Sequence, residues 1–386
     1  MPQTTPINKT TKVSTHLPDH VVDIGLDKIK LNVLAVNIDH DRIAFIEQRF
    51  GELKEHGAKA RSGKGKAFKN RLSVQVAGEP VLIECSPNRD GYPYAFTAEF
   101  NPNPFLGKGE KAINRLATFF RTLFGHDAPR VLAQAVVSRL DVNVDFDINP
   151  LEGTLVSVKG KRGGANVMCD FDGSGTLATL YIGALGSDRR LCIYDKAAQT
   201  LKSEMKPEAG KILAALASPT DWSMAVHKLR ERTSGPTHWR MEVRCLPKPA
   251  RPVAQLGELA SCFDGIALLH LPINRAPFKT SMGKLFVGLA RHVGIPVALQ
   301  SLDELDRRRF NLAISKLDQV EWWNADILRD YIAAAIDRLA PLFRPPARHL
   351  SVIQMGRLSS TRPLRVSEPA AKQVTVPSKR KVKRLV

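Results

Sequence analysis

The residues that could do chemistry on this chain are acids, a tyrosine and arginines spaced two apart. Residues 135–149 read AVVSRLDVNVDFDIN. Leu140, Val142, Val144 and Phe146 share one face of a strand, and Arg139, Asp141, Asn143, Asp145 and Asp147 share the other. Three carboxylates on one strand face are unusual, because aspartate has poor strand propensity and like charges repel. A solvated face is one reading; a divalent cation that offsets the repulsion is the sharper one. Residues 238–245, HWRMEVRC, place Trp239, Met241, Val243 and Cys245 on an apolar face and His238, Arg240, Glu242 and Arg244 on a polar face. Alone, that is an ordinary Arg–Glu–Arg ladder. A third strand, LCIYDK at 191–196, follows a GSDRR turn and brings Arg190, Cys192 and Tyr194 to one face.

If these three polar faces adjoin in a sheet, they make a site for phosphoryl transfer on a nucleic acid backbone. Asp141, Asp145 and Glu242 supply the oxygen ligands that Mg²⁺ or Mn²⁺ takes, and the metal polarises the scissile phosphate. The Tyr194 hydroxyl attacks and forms a covalent intermediate. Its free pKa is about 10, so a neighbouring metal or cation aids its ionisation. Lys196, two residues on, stabilises charge on the phosphoryl oxygens. Tyr181 is a rival nucleophile, but its place within a strand beside Leu180 and Ile182 suits a core role.

VVSRLDVNVDFD, TLYIGALGSDRRLCIYDKAAQ and THWRMEVRC, in that order, resemble the replication initiation factor family, the trans-acting initiators of rolling-circle plasmids and filamentous phages. EFNPNP at 99–104 also resembles an earlier strand of that family, and the resemblance covers roughly 22–250. It implies an enzyme that nicks one strand of origin DNA, leaves a free 3′-OH and a 5′-phosphotyrosine, and later rejoins the strand. By motif, Tyr194 is the nucleophile with Lys196 beside it, and Asp141 and Glu242 are metal ligands, with Asp145 the third candidate. Arg139, Arg190 and Arg240 are phosphate contacts, with Arg189 close by. The family's usual Gly-Ser is Gly183-Ala184 here, and its usual Arg before Ile-Tyr is Cys192. The ten histidines include no His-x-His pair between apolar residues, which sets the chain apart from nicking enzymes whose metal is held by paired histidines.

The elements that must position these residues are legible in outline. The apolar spacing predicts a helix over 41–56 capped by Asp41, strands over 72–86 and 94–101, and a helix over 108–124 closed by Gly125. A strand over 176–183 and a helix over 195–216 flank the Tyr194 strand. Helices over 253–268, 280–293, 302–319 and 324–343 follow, punctuated by Pro296. The expected fold is α+β: a largely antiparallel sheet bearing the site, with helices packed on its other face and a helical C-terminal part. The expected divisions are a disordered tail at 1–21, a catalytic domain at 22–250, a helical region at 251–345 and a basic disordered tail at 346–386.

Charge narrows the partners. Lys and Arg number 57 against 38 Asp and Glu, a formal charge of +19, which suits a polyanion. Lys64 and Lys66 lie in a Gly-interrupted basic loop at 59–71 that suits phosphate contact, and PSKRKVKRLV at the end suits nonspecific contact with DNA. The basic loop lacks the P-loop spacing. No apolar run is long enough to span a membrane and the first residues lack a secretory pattern. Five cysteines without a C-x-x-C pair argue against a disulfide framework or a structural zinc site and for a reducing bacterial cytoplasm. The expected partners are single-stranded or cruciform origin DNA, and after nicking a host helicase and polymerase; no membrane partner is expected, and a homodimer is left open. The alternatives are a DNA-binding module without catalysis, a conjugative relaxase with the same chemistry, a phosphodiesterase using metal-bound water, and an RNA-binding protein.

Overall fold

Strand β6 (Val136–Phe146) is the axis of the fold. Leu140, Val142, Val144 and Phe146 are fully buried, as their alternation requires. In this computed structural model β6 pairs antiparallel with β1 (Val21–Leu34) and with β11 (Trp239–Cys245). The structure describes residues 16–61, 67–159, 167–171, 177–197, 199, 239–272 and 274–343. Lys64, Lys66, His238, the expected helix beyond 199 and both expected tails, apart from residues 16–21, lie outside the described residues.

The main sheet continues outward from these three strands. On the β1 side lie β5 (Tyr94–Phe100), β4 (Glu79–Pro87), β3 (Phe68–Val76) and β2 (Lys59–Ala60). On the β11 side lie β10 (Arg189–Asp195), β9 (Leu177–Ile182) and β8 (Val167–Phe171). The short β12 (Arg251–Pro252) pairs with the start of β6. Every pairing is antiparallel, so the fold is α+β as expected.

Helices cover the apolar face. The helices α1 (His40–Glu55) and α3 (Glu110–Phe124) lie over the β3–β5 half, where Phe96 meets Phe50 and Phe124 edge-on. Two short helices, α2 (Asn103–Gly107) and α4 (Ala128–Ala133), flank α3. A 3-10 stretch, Val253–Phe263, and α7 (Ala325–Arg338) cover the centre, with Trp323 wedged between Phe146 and Phe263 and its indole donating to the Ile266 carbonyl at 2.8 Å. Burying such side chains contributes roughly 1.5–3 kcal/mol each. Residues on both sides of position 250 therefore belong to one core. A smaller core joins Phe278 with Phe286 of α5 (Ser281–Gln300) and Phe310 of α6 (Glu304–Ile314), against Leu155 and Leu269 of a separate pair of strands, β7 (Thr154–Val158) and β13 (Ile266–His270). Among the described residues no helix is long and apolar enough to cross a membrane.

Four local expectations are corrected. The span 72–86 is a hairpin, not one strand: Ala77 and Gly78, both at positive φ (52° and 83°), turn β3 into β4. Two positive-φ residues make the tight turn that matches strand twist. Asp39 caps α1, its carboxylate accepting from the Arg42 amide at 2.7 Å, while Asp41 lies inside the first turn. The span 253–268 is a 3-10 stretch followed by β13 rather than one helix. Finally, the helix expected over 280–293 is present, but after a break at Gly294 (φ 75°) α5 resumes, and Pro296 sits in the first turn of this second piece, where a missing amide hydrogen costs nothing, rather than ending the helix.

Candidate active site

The register of β6, β11 and β10 sets nine polar-face positions in three rows. Asp145, Arg240 and Tyr194 form the first, Asn143, Glu242 and Cys192 the second, and Asp141, Arg244 and Arg190 the third. Successive rows are two residues apart, roughly 6.6 Å. The three polar faces adjoin, and the structure thus brings together Asp141, Asp145, Glu242, Tyr194, Arg190 and Arg240.

Arg240 is the tie between the acids. Its Nε and Nη2 donate to the two Asp145 oxygens at 2.6 and 2.7 Å, and its Nη1 donates to Asp27 Oδ1 at 3.3 Å. Charge-assisted paired bonds of this kind are the strong class. They raise the guanidinium pKa further although burial works against its charge. Asp141 is held in the same way by the guanidinium of Arg139, with Arg244 Nε 3.7 Å from its Oδ2. The repulsion among the β6 acids is therefore offset by three arginines of the chain itself.

Glu242 is the acid that stands outside these forks. Its Oε1 is 4.0 Å from Arg244 Nη2, and its Oε2 accepts a long hydrogen bond from the Tyr194 hydroxyl at 3.5 Å. Burial, then the charges of Asp141 and Asp27, raise its pKa. Tyr194 is 5% exposed. Burial and the Glu242 charge push its phenol well above the usual tyrosine range, with Arg240 pulling the other way. Lys196 Nζ lies 5.8 Å from the Tyr194 ring centroid and donates to Gln199 Oε1 at 3.3 Å; burial and Arg240 lower its pKa.

Two predicted placements change. Tyr181 is not a core residue: it is opposite Cys192, on the polar face, with the Arg190 guanidinium stacked 4.3 Å over its ring. Burial and Cys192 push its phenol up to about 12. Arg189 faces away from the site and donates to the carbonyls of Cys262 (3.3 Å) and Asp264 (2.6 Å).

Alternation alone misses Asp27 and Asn103. Leu26 and Lys28 pair with the adjacent residues Val142 and Asp141, so Asp27 is the extra residue of a β-bulge, a device that re-aims a side chain. Asn101 Nδ2 steadies its carboxylate at 3.3 Å. Asn103 accepts from the Leu26 amide at 2.7 Å and donates to Asn143 Oδ1 at 3.2 Å. Only a glycine at 25 leaves it that space, since a Cβ there would lie 2.3 Å from the Asn103 amide. The Asn-Pro-Asn-Pro segment was a visible signal, but its partners were not.

As a donor set for Mg²⁺ or Mn²⁺ these residues fit in type. Glu242, Asp141 and Asp27 are hard oxygen ligands, and their mutual repulsion at Glu242 is what such a cation relieves. As arranged, no three His, Cys, Asp or Glu side chains among the described residues stand close enough to hold one ion.

The chain matches no known family model, and no curated relative was found. Among solved structures it is similar to the rolling circle replication initiator protein from Geobacillus stearothermophilus, at 16% identity and a TM-score of 0.35, over 71% of this chain and 98% of that one.

Proposed function

We propose that this chain nicks and rejoins one DNA strand to start rolling-circle replication. The Tyr194 oxygen bonds to the scissile phosphorus, the bond from phosphorus to the 3′-oxygen breaks, and that oxygen takes a proton to leave a free 3′-OH. The 5′-phosphate stays on Tyr194, and the reverse step rejoins the strand. The observation that carries this reading is the Tyr194–Glu242 hydrogen bond on a sheet face that also holds Asp141, Asp145 and Arg240. The phenol is protonated at neutral pH, and the Glu242 carboxylate is the acceptor in place for its proton. Lys196 stands beside the ring to meet charge on the phosphoryl oxygens. Glu242 and Asp141 would hold the divalent cation, which when bound polarises the phosphate. The resemblance of the three sequence motifs and the +19 charge support the same reading, with single-stranded or cruciform origin DNA as substrate.

A second reading makes Tyr181 the nucleophile, favoured by its greater exposure on the same face. The test is adduct formation: the protein is mixed with a single-stranded origin oligonucleotide and Mn²⁺ and resolved under denaturing conditions. Tyr194→Phe should abolish the covalent adduct and leave oligonucleotide affinity within about two-fold, since one hydroxyl bonded at 3.5 Å contributes little to binding. Tyr181→Phe should still form it. An adduct surviving in Tyr194→Phe and lost in Tyr181→Phe reverses the assignment, and cleavage with no adduct to either tyrosine supports hydrolysis instead.

A further inference from the structure

Six buried side-chain nitrogens among the described residues lack a hydrogen-bond partner, and three lie together on this face: Arg190 Nε, Arg244 Nε and Asn143 Nδ2. Buried donors left unpaired are costly, so such a group calls for a partner, an ordered water or a ligand. A second observation points to the sign of that ligand. Arg190 and Arg244 are directly opposite one another on β10 and β11, a like-charge cross-strand pair that Asp141 and Glu242, at 3.7 and 4.0 Å, offset on the Arg244 side only, so a further anion over the pair would relieve it. Asn143 belongs to the adjoining row, diagonal to Arg244. Arg190 is already fixed by its stack on Tyr181. Arg244 approaches Asp141 and Glu242 only at 3.7 and 4.0 Å, beyond hydrogen-bond range, whereas Arg139 and Arg240 spend their donors in hydrogen bonds to Asp141 and Asp145.

We infer that Arg190, Arg244 and Asn143 form a seat for a backbone phosphate of the bound DNA strand, and that Arg139 and Arg240 position acids rather than grip DNA. This inference rests on the proposed nicking chemistry. Arg190 is four residues from Tyr194 along β10, roughly 13 Å. The seat therefore takes a phosphate flanking the scissile one, and the strand runs along β10 past Glu242. Planar guanidinium groups suit phosphate oxygens, and an amide adds a neutral donor.

The experiment measures affinity of the full chain for a mixed-sequence single-stranded oligonucleotide as salt is varied. Arg190→Gln and Arg244→Gln should each weaken binding several-fold and lower the slope of log affinity against log salt by about 0.7. Arg139→Gln and Arg240→Gln should lower thermal stability and keep the wild-type slope. Arg244→Lys, which keeps the charge but loses the planar fork, should keep the slope and weaken binding. It also serves if the glutamine variant does not fold. Wild-type slopes in both Arg190→Gln and Arg244→Gln would overturn the seat, as would an equal loss of slope in the Arg139 and Arg240 variants. The two proposals fail separately. If wild type forms no adduct while the seat variants still lose affinity and slope, the seat stands without the chemistry. If the double variant Arg190→Gln/Arg244→Gln forms adduct with undiminished affinity, the chemistry stands without the seat.

Discussion

Arg240 governs the acids beside it. Its guanidinium bridges Asp145 on β6 and Asp27 on the β1 bulge, and both Asp145 and Arg240 have side chains nearly shielded from water. Removing one partner of a buried pair leaves the other charge uncompensated, which typically costs about 3–5 kcal/mol. Arg240→Gln should therefore lower the unfolding free energy by about that amount in urea denaturation, and Arg240→Gln/Asp145→Asn should recover a large part of it. A loss no greater in the single than in the double variant would show that the pair is not coupled. At this scale the sequence is informative wherever period two holds. Asp141, Asp145, Tyr194, Arg240 and Glu242 share a face because alternation leaves no other choice within regular strands. The same rule hides Asp27, whose bulge breaks the alternation, and it cannot tell that arginines offset the acids, because that depends on which strands are neighbours.

The elements position the site through contacts far apart in sequence. Gly25 and Asn103 illustrate this. The first residue of α2 reaches over β1 to the Leu26 amide and Asn143, and the missing Cβ at 25 makes the space. Gly25→Ala should expel the Asn103 amide and lose both hydrogen bonds, at about 1–3 kcal/mol. In Asn103→Ala, where no amide remains to be displaced, the same substitution should cost far less. The double-mutant cycle by urea denaturation checks this: additive losses would mean that Gly25 matters for backbone freedom alone. Neither residue carried this role in the sequence, since a lone glycine in a strand signals close approach without naming what approaches. The β3–β4 hairpin was hidden for a related reason. Ala77 is no turn former, so a strand, a turn and a strand read as one apolar run. By contrast α3 was legible nearly to the residue, because its apolar stripe and the Gly125 stop agree.

For the whole molecule, burial of ionisable groups beneath and on the sheet sets an alkaline limit. Cys85 lies on β4 in the core, 1% exposed, and burial pushes its thiol from 9.0 up to about 11. Cys192 and Tyr181 are likewise raised to about 12, from 9.0 and 10.0. In each case the folded state binds its proton more tightly than the unfolded chain does. The stability they contribute is complete below pH 9, where both states are protonated. It falls as pH rises from 9 through the raised values, because unfolding then releases protons. For Cys85 alone a shift of two units corresponds to about 2–3 kcal/mol by pH 11. Urea midpoints should fall steadily between pH 8.5 and pH 10.5, and Cys85→Ala, less stable at neutral pH because of its cavity, should show a shallower fall. Iodoacetamide gives an independent reading: at pH 8.5 the native protein should leave Cys85 unmodified while the urea-unfolded chain reacts, because the thiolate is the reactive form and the folded core denies it. Rapid labelling of native Cys85 at that pH would mean that β4 opens to solvent, and the α1–α3 layer would then be far looser than its aromatic packing indicates.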